Sequence, residues 1–148
     1  MENKVGNDSM NKEQLKEIIP HREPMLLVDE ATLLNPTTAH GKVHITGKEW
    51  FVQGHFPGNP VVPGVILCEM MAQAGCVIVA DQAKGCTPLF TAIKDAKFKH
   101  QVRPGDTLEI ECTLLKNRRI FYFIEAKGYV NGDLAVSAEF SFALVKGE

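Results

Sequence analysis

From Gly64 the chain reads GVILCEMMAQAGCVIVADQAK, a run of about twenty residues that is apolar on nearly every side, the pattern of a helix buried all round rather than one lying on a surface. Such a helix needs cover in every direction, and this constrains the fold more than any other feature. Two polar side chains interrupt the run. Glu69 and Gln73 stand four apart, one helical turn, so they point the same way. A carboxylate desolvated in such a place costs several kcal/mol unless something pairs with it or it takes up a proton.

The stretch before the helix, WFVQGHFPGNPVVPG, is punctuated by Gly54, Pro57, Gly58, Pro60 and Pro63, which impose a turning, non-helical path and present His55 from it. A lone histidine in a turn is commonly satisfied by backbone, and a lone acid in a buried helix is commonly half of a structural pair. A stiff loop that holds a histidine beside the N-terminus of the helix carrying the acid is, however, how an acid and a base would be positioned.

At 148 residues the chain is read as a flexible tail over residues 1–10 and a single domain over residues 11–148. Cys68, Cys76, Cys86 and Cys112 show no CxxC spacing and read as small core residues of a reducing, cytoplasmic setting. Of the five histidines only His40 and His44 stand four apart, on a stretch with strand rather than helix periodicity, and no HxxEH pattern occurs, so neither a metal nor another cofactor is expected. The polar N-terminus lacks the apolar stretch of a signal peptide, and Glu69 and Gln73 in mid-run argue against a membrane span. A net charge of −2 supplies no basic field for nucleic acid.

In chain order, Asn11 or Ser9 can cap a short helix through Ile19, stopped by Pro20. Strand patterns cover residues 25–34 and 40–46, the latter with His40 and His44 on the solvent face. The long helix is expected to end near Lys84 and Gly85. Strands then follow at 89–98, 107–115, 120–130 and 134–145, with turns at 103–106 and 117–119 and a hairpin at Asn131-Gly132-Asp133. A strand meander curled round one helix, an α+β architecture, satisfies the whole pattern.

The sequence Gly54-His55-Phe56-Pro57-Gly58-Asn59-Pro60-Val61-Val62-Pro63-Gly64, followed by Glu69 and by Met71-Ala72-Gln73, resembles the active-site signature of the beta-hydroxyacyl-acyl carrier protein dehydratases, the FabZ group. Pro20-His21-Arg22 with Pro24 and Leu26-Leu27-Val28-Asp29 is similar to the family's N-terminal strand. Ala96-Lys97-Phe98-Lys99 with Val102, Pro104, Gly105 and Asp106 is similar to its middle turn. The resemblance covers most of residues 12–145 and implies the hot dog fold, a curved antiparallel sheet around one long helix.

It also implies a hydro-lyase of type II fatty-acid synthesis that converts (3R)-hydroxyacyl thioesters on acyl carrier protein to trans-2-enoyl thioesters. Such a reaction needs a base, an acid and a holder for charge developing on the thioester oxygen. His55 suits the base, since imidazole titrates near neutral pH. Glu69 suits the acid, since burial favours its protonated form. Gly64 and Val65 at the helix N-terminus offer free N–H groups to the carbonyl, Gln73 would orient Glu69, and Phe56 completes the expected substrate-binding set. Family members are dimers, often assembled into hexamers, with the acid supplied across the interface.

Thr91-Ala92-Ile93-Lys94 departs from the family pattern, so chain-length preference is not carried over. Glu69, where an aspartate would mark the dehydratase-isomerases, favours the dehydratase group. A hot dog thioesterase would need a dedicated water-activating carboxylate, and an acyl-sensing regulator an attached DNA-binding segment. Lys94, Lys97, Lys99, Arg103, Arg118 and Arg119 are candidates for a landing patch for the acidic carrier protein.

Overall fold

A computed structural model describes residues 9–147 of the chain. Seven strands form one antiparallel sheet: β1 (Ser9–Asn11), β2 (Glu30–Asn35), β3 (Thr38–His44), β4 (Cys86–Phe98), β5 (Thr107–Arg118), β6 (Phe121–Val130) and β7 (Asp133–Lys146), in the order β1-β2-β3-β5-β6-β7-β4. The short helix α1 (Lys12–Leu15) is capped by Asn11, whose side chain accepts from the Gln14 N–H while the Gln14 side chain returns the bond to the Asn11 N–H. The central helix α2 (Gly64–Cys76) packs against β3, β4, β5, β6 and β7.

Strand alternation aims one set of side chains at α2 and the other at solvent. In β5, Leu108, Ile110 and Cys112 are buried while Glu109 and Glu111 are exposed. Met70, Met71 and Val77 meet them from the helix side, with Ile124 and Phe140 from β6 and β7, in one continuous core. His40 and His44 lie on the exposed face of β3, as expected. The β6–β7 hairpin closes through Asn131 and Gly132, both at positive φ (52° and 83°), the combination a two-residue turn of this hand demands and Asn-Gly provides. A curved sheet wrapped round one buried helix is the hot dog fold.

Several local expectations change. The short helix expected through Ile19 already ends at Leu15. The regular helix stops at Cys76, and the β-branched run Val77-Ile78-Val79 tightens into a 3-10 turn before the chain reverses at Gly85. Every residue from Met70 to Val79 is nonetheless buried. The strand expected from Met25 starts only at Glu30, because Gln73 of α2 takes the Met25 carbonyl and the Leu27 N–H, groups that a strand would give to its neighbour. Ser9 and Met10, read as tail, pair with Thr32 and Ala31 of β2; residues 1–8 of that expected tail lie outside the described residues. The turn expected at 117–119 falls one step later, since β5 and β6 pair out to Arg118 and Phe121.

Candidate active site

Glu69 sits on the one face of α2 that is not sealed against the sheet, its side chain 20% exposed. Burial pushes its carboxyl above the ordinary glutamate range, and the hydrogen bond from Gln73 offsets part of that shift. Gln73, one turn on, is fully buried and uses its whole amide. Its Oε1 accepts from the Leu27 N–H at 2.9 Å, while its Nε2 donates to the Met25 carbonyl at 2.7 Å and to Glu69 Oε2 at 2.8 Å. Because one end of the amide meets an N–H and the other a C=O, its orientation is settled by chemistry. Glu69 Oε1 has no hydrogen-bond partner among the described residues.

His55 is held by the loop's own backbone. The Val61 N–H donates to its carbonyl at 2.8 Å, and Phe56 and Asn59 exchange bonds of 2.9 and 2.8 Å across the tip. Arg103 grips the same tip, donating to Asn59 Oδ1 at 2.7 Å and to Gln101. His55 Nδ1 lies 3.0 Å from the Val61 carbonyl. A carbonyl only accepts, so Nδ1 carries the hydrogen and the neutral ring presents its lone pair at Nε2, the form a general base needs. Phe56 stacks on the imidazole with ring centroids 4.0 Å apart and stays half exposed.

At the start of α2 the N–H groups of Ile66 and Leu67 both turn back to the Pro63 carbonyl, and those of Gly64 and Val65 have no acceptor among the described residues. A Cβ at Gly64 would stand 2.8 Å from the half-exposed Phe98 ring, so a larger residue there requires that ring to shift. The same ring and Gly64 line an open cleft of about 300 Å³ with Val61, Leu67 and Lys99. A larger cleft of about 490 Å³ opens on the sheet face turned away from α2, among Thr32, His40, Lys42 and Glu109, and touches none of the candidate residues.

The structure thus brings Glu69 and Gln73 together and places Gly64 and Phe98 at one cleft, with Val65 exposed beside it in the chain. It does not bring His55 to Glu69: no hydrogen bond or ion pair joins them within this chain. The histidine beside the acid within the chain is His21, whose Nε2 is 3.6 Å from Glu69 Oε2. Sequence reading passed over His21, noting Pro20-His21-Arg22 only as a strand beginning. The six basic residues also divide. Through the register of β5, β6, β7 and β4, Arg118 lies level with Leu89, whereas Lys97 lies level with Glu111, toward the other end of the sheet. Arg103 is engaged by the histidine loop rather than free.

A hot dog protein whose wrapped helix carries a half-buried acid next to a stiff histidine loop is the class that fold and site define. The chain belongs to the FabA-like domain family, which it matches over residues 19–139. It is 42% identical over 137 residues to the 3-hydroxyacyl-acyl-carrier-protein dehydratase FabZ of Clostridium perfringens, spanning 91% of this chain and 99% of that one. It is 45% identical over 134 residues to the protein of the same name from Ligilactobacillus salivarius, spanning 88% and 96%. Among solved structures, the dehydratase heterocomplex ApeI:P from Xenorhabdus doucetiae superposes with a TM-score of 0.76 at 20% identity, covering 88% of this chain and 90% of that one. Likeness at that identity speaks for the fold.

Proposed function

We propose that the chain is a hydro-lyase that removes water from (3R)-3-hydroxyacyl thioesters carried on acyl carrier protein, giving trans-2-enoyl thioesters in type II fatty-acid synthesis. The observation that carries this reading is Glu69: an acid kept above its usual pKa by burial and aimed by Gln73, on the helix that the histidine loop leads into. The names borne by relatives 42–45% identical over nearly their whole length support it.

The chemistry follows from the groups. His55 Nε2 takes the proton from the carbon next to the thioester carbonyl, and that C–H pair becomes the second bond between the α and β carbons. The β C–O pair leaves with the hydroxyl, which receives the proton of Glu69 Oε1 and departs as water. Negative charge on the thioester oxygen is met by the free N–H groups of Gly64 and Val65 at the positive end of α2. Return of the proton from His55 to Glu69 resets the pair.

Each site takes its histidine from one chain and its acid from another. Two features support this: His55 and Glu69 make no bond within the chain, and β4 is an edge strand with an open side. Leu89, Phe90, Ile93 and Phe98 of β4 are all at least 41% exposed, an apolar edge that a second copy would cover. The homodimer is therefore the working unit, with hexamers as assemblies of three dimers. Four free thiols fit a reducing cytoplasm, and no helix among the described residues is long and apolar enough to cross a membrane.

Incubation with a 3-hydroxyacyl thioester tests the reading. Enoyl absorbance is the expected product signal; release of free thiol would make the chain a thioesterase, and no turnover would make it a binding protein.

A further inference from the structure

We propose that His21 is a positioning residue for Glu69, holding Oε2 from the side opposite the working oxygen so that Oε1 carries the acid's proton to the substrate. The inference rests on the reading of Glu69 as the acid and adds a group outside the histidine–glutamate pair.

Its ground is the pairing of two incomplete groups. Neither ring nitrogen of His21 has a hydrogen bond among the described residues; Nδ1 is fully buried, and Nε2 faces Glu69 Oε2 at 3.6 Å. A buried polar atom without a partner costs free energy that folding otherwise avoids. The backbone around it is held with care. Arg22 folds back to donate to the carbonyls of Ile19, His21 and Lys16, and Gln73 fixes Met25 and Leu27 just downstream. The same amide thus holds the acid and the segment that presents His21.

Chemistry selects the tautomer. With hydrogen on Nδ1, a buried N–H would be orphaned and two lone pairs would face each other at Nε2 and Oε2. With hydrogen on Nε2, the ring offers a donor to the carboxyl, and only the lone pair of Nδ1 goes unused. Oε2 already accepts from Gln73, so with a second donor aimed at it the proton of the neutral acid resides on Oε1. Burial, with the nearby Arg22 charge, keeps His21 below its usual pKa and therefore neutral. The other titratable groups facing the pair are the Cys76 thiol, pushed up to about 12 chiefly by burial and so protonated, and His55 of the partner subunit in the dimer proposed above.

At 3.6 Å the contact is longer than a hydrogen bond. Such contacts shorten when charge develops. As Glu69 Oε1–H breaks and its proton goes to the leaving hydroxyl, the electron pair spreads onto Oε2. The Nε2–H donors of His21 and Gln73 then meet a carboxylate instead of a neutral acid. An interaction that strengthens only in the transition state acts on kcat and leaves KM nearly alone.

The test compares His21→Phe, which keeps a flat ring without nitrogens, with His21→Gln, which returns an N–H donor. The expected result is a kcat lowered roughly 10- to 100-fold in His21→Phe with KM within about twofold of wild type, and substantial recovery in His21→Gln. The 13C carboxyl resonance of Glu69 should titrate at higher pH in His21→Phe, because loss of a donor disfavours the carboxylate. In the unaltered protein, 15N resonances of the His21 ring should show the neutral Nε2–H tautomer near neutral pH, a readout that survives any folding defect of the variants. Wild-type kcat in folded His21→Phe, failure of His21→Gln to recover, or an Nδ1–H or charged ring would overturn the proposal. Glu69→Gln is run alongside. If it is inactive while His21→Phe is silent, only the positioning role falls; if Glu69→Gln turns over normally, the acid reading falls and the proposal with it.

Discussion

Gln73 Nε2 donates to Glu69 Oε2 across one turn of α2, and the same amide closes on Met25 and Leu27 some distance back in the chain. The orientation of the proposed acid and the stability of the fold therefore depend on one side chain. Gln73→Leu orphans the buried Leu27 N–H and the part-buried Met25 C=O as well as freeing the acid. It should lower unfolding free energy by roughly 2–4 kcal/mol and turnover by at least tenfold. Denaturant titration and steady-state rates check both, and a variant as stable as wild type would contradict the shared role.

Glu69→Gln should reduce dehydration by on the order of a hundredfold or more. Its stability gives a separate signature. A folded pKa raised above the unfolded value means that the neutral acid's contribution is fully present below the unfolded pKa and is lost as pH rises through the folded one. Glutamine carries no charge at any pH. The Tm of the variant should thus match wild type near pH ~4 and exceed it near pH ~8, and a difference independent of pH would mean the carboxylate is not desolvated.

His55→Ala and Glu69→Gln should each be inactive alone. In a mixed dimer with sites built across the interface, one site inherits both defects and the other is intact, so random exchange of equal amounts should restore roughly a quarter of wild-type activity. Two affinity tags report that exchange has occurred. Exchange with no recovered activity would place each site inside one chain.

Gly64→Val should push the Phe98 ring from its seat, since even a Cβ there comes within 2.8 Å of it. The expected cost is about 1–3 kcal/mol of stability, with a drop in kcat from displacement of the free N–H groups beside it. Phe98→Ala in the Gly64→Val background should relieve the stability loss; failure to do so would assign the defect to another contact.

Charge reversal separates the two basic groups that the register sets apart. Lys97 lies near the end of β4 and Lys99 follows that strand at the cleft, while Arg118 and Arg119 sit at the β5–β6 turn. If Arg118 and Arg119 receive the carrier protein, reversing them raises KM for carrier-bound substrate and spares a short thioester mimic, with Lys97 and Lys99 silent. The opposite pattern would move the landing site to the cleft.

What the sequence determined by itself is what local pattern encodes. An apolar run on every helical face demands a wrapping sheet, and spacing by one turn is enough to aim Glu69 and Gln73 together. Alternation sets the faces of β3 and β5, and Asn131-Gly132 closes its hairpin whatever surrounds it. Partners distant in the chain were decided only by the tertiary structure, because no periodicity links them. Met25 and Leu27 lost their strand to the Gln73 amide, Ser9 and Met10 gained one from β2, and His21 came to lie beside Glu69. Each of those outcomes turns on a buried polar group finding its partner, and which partner is near is a property of the packed fold.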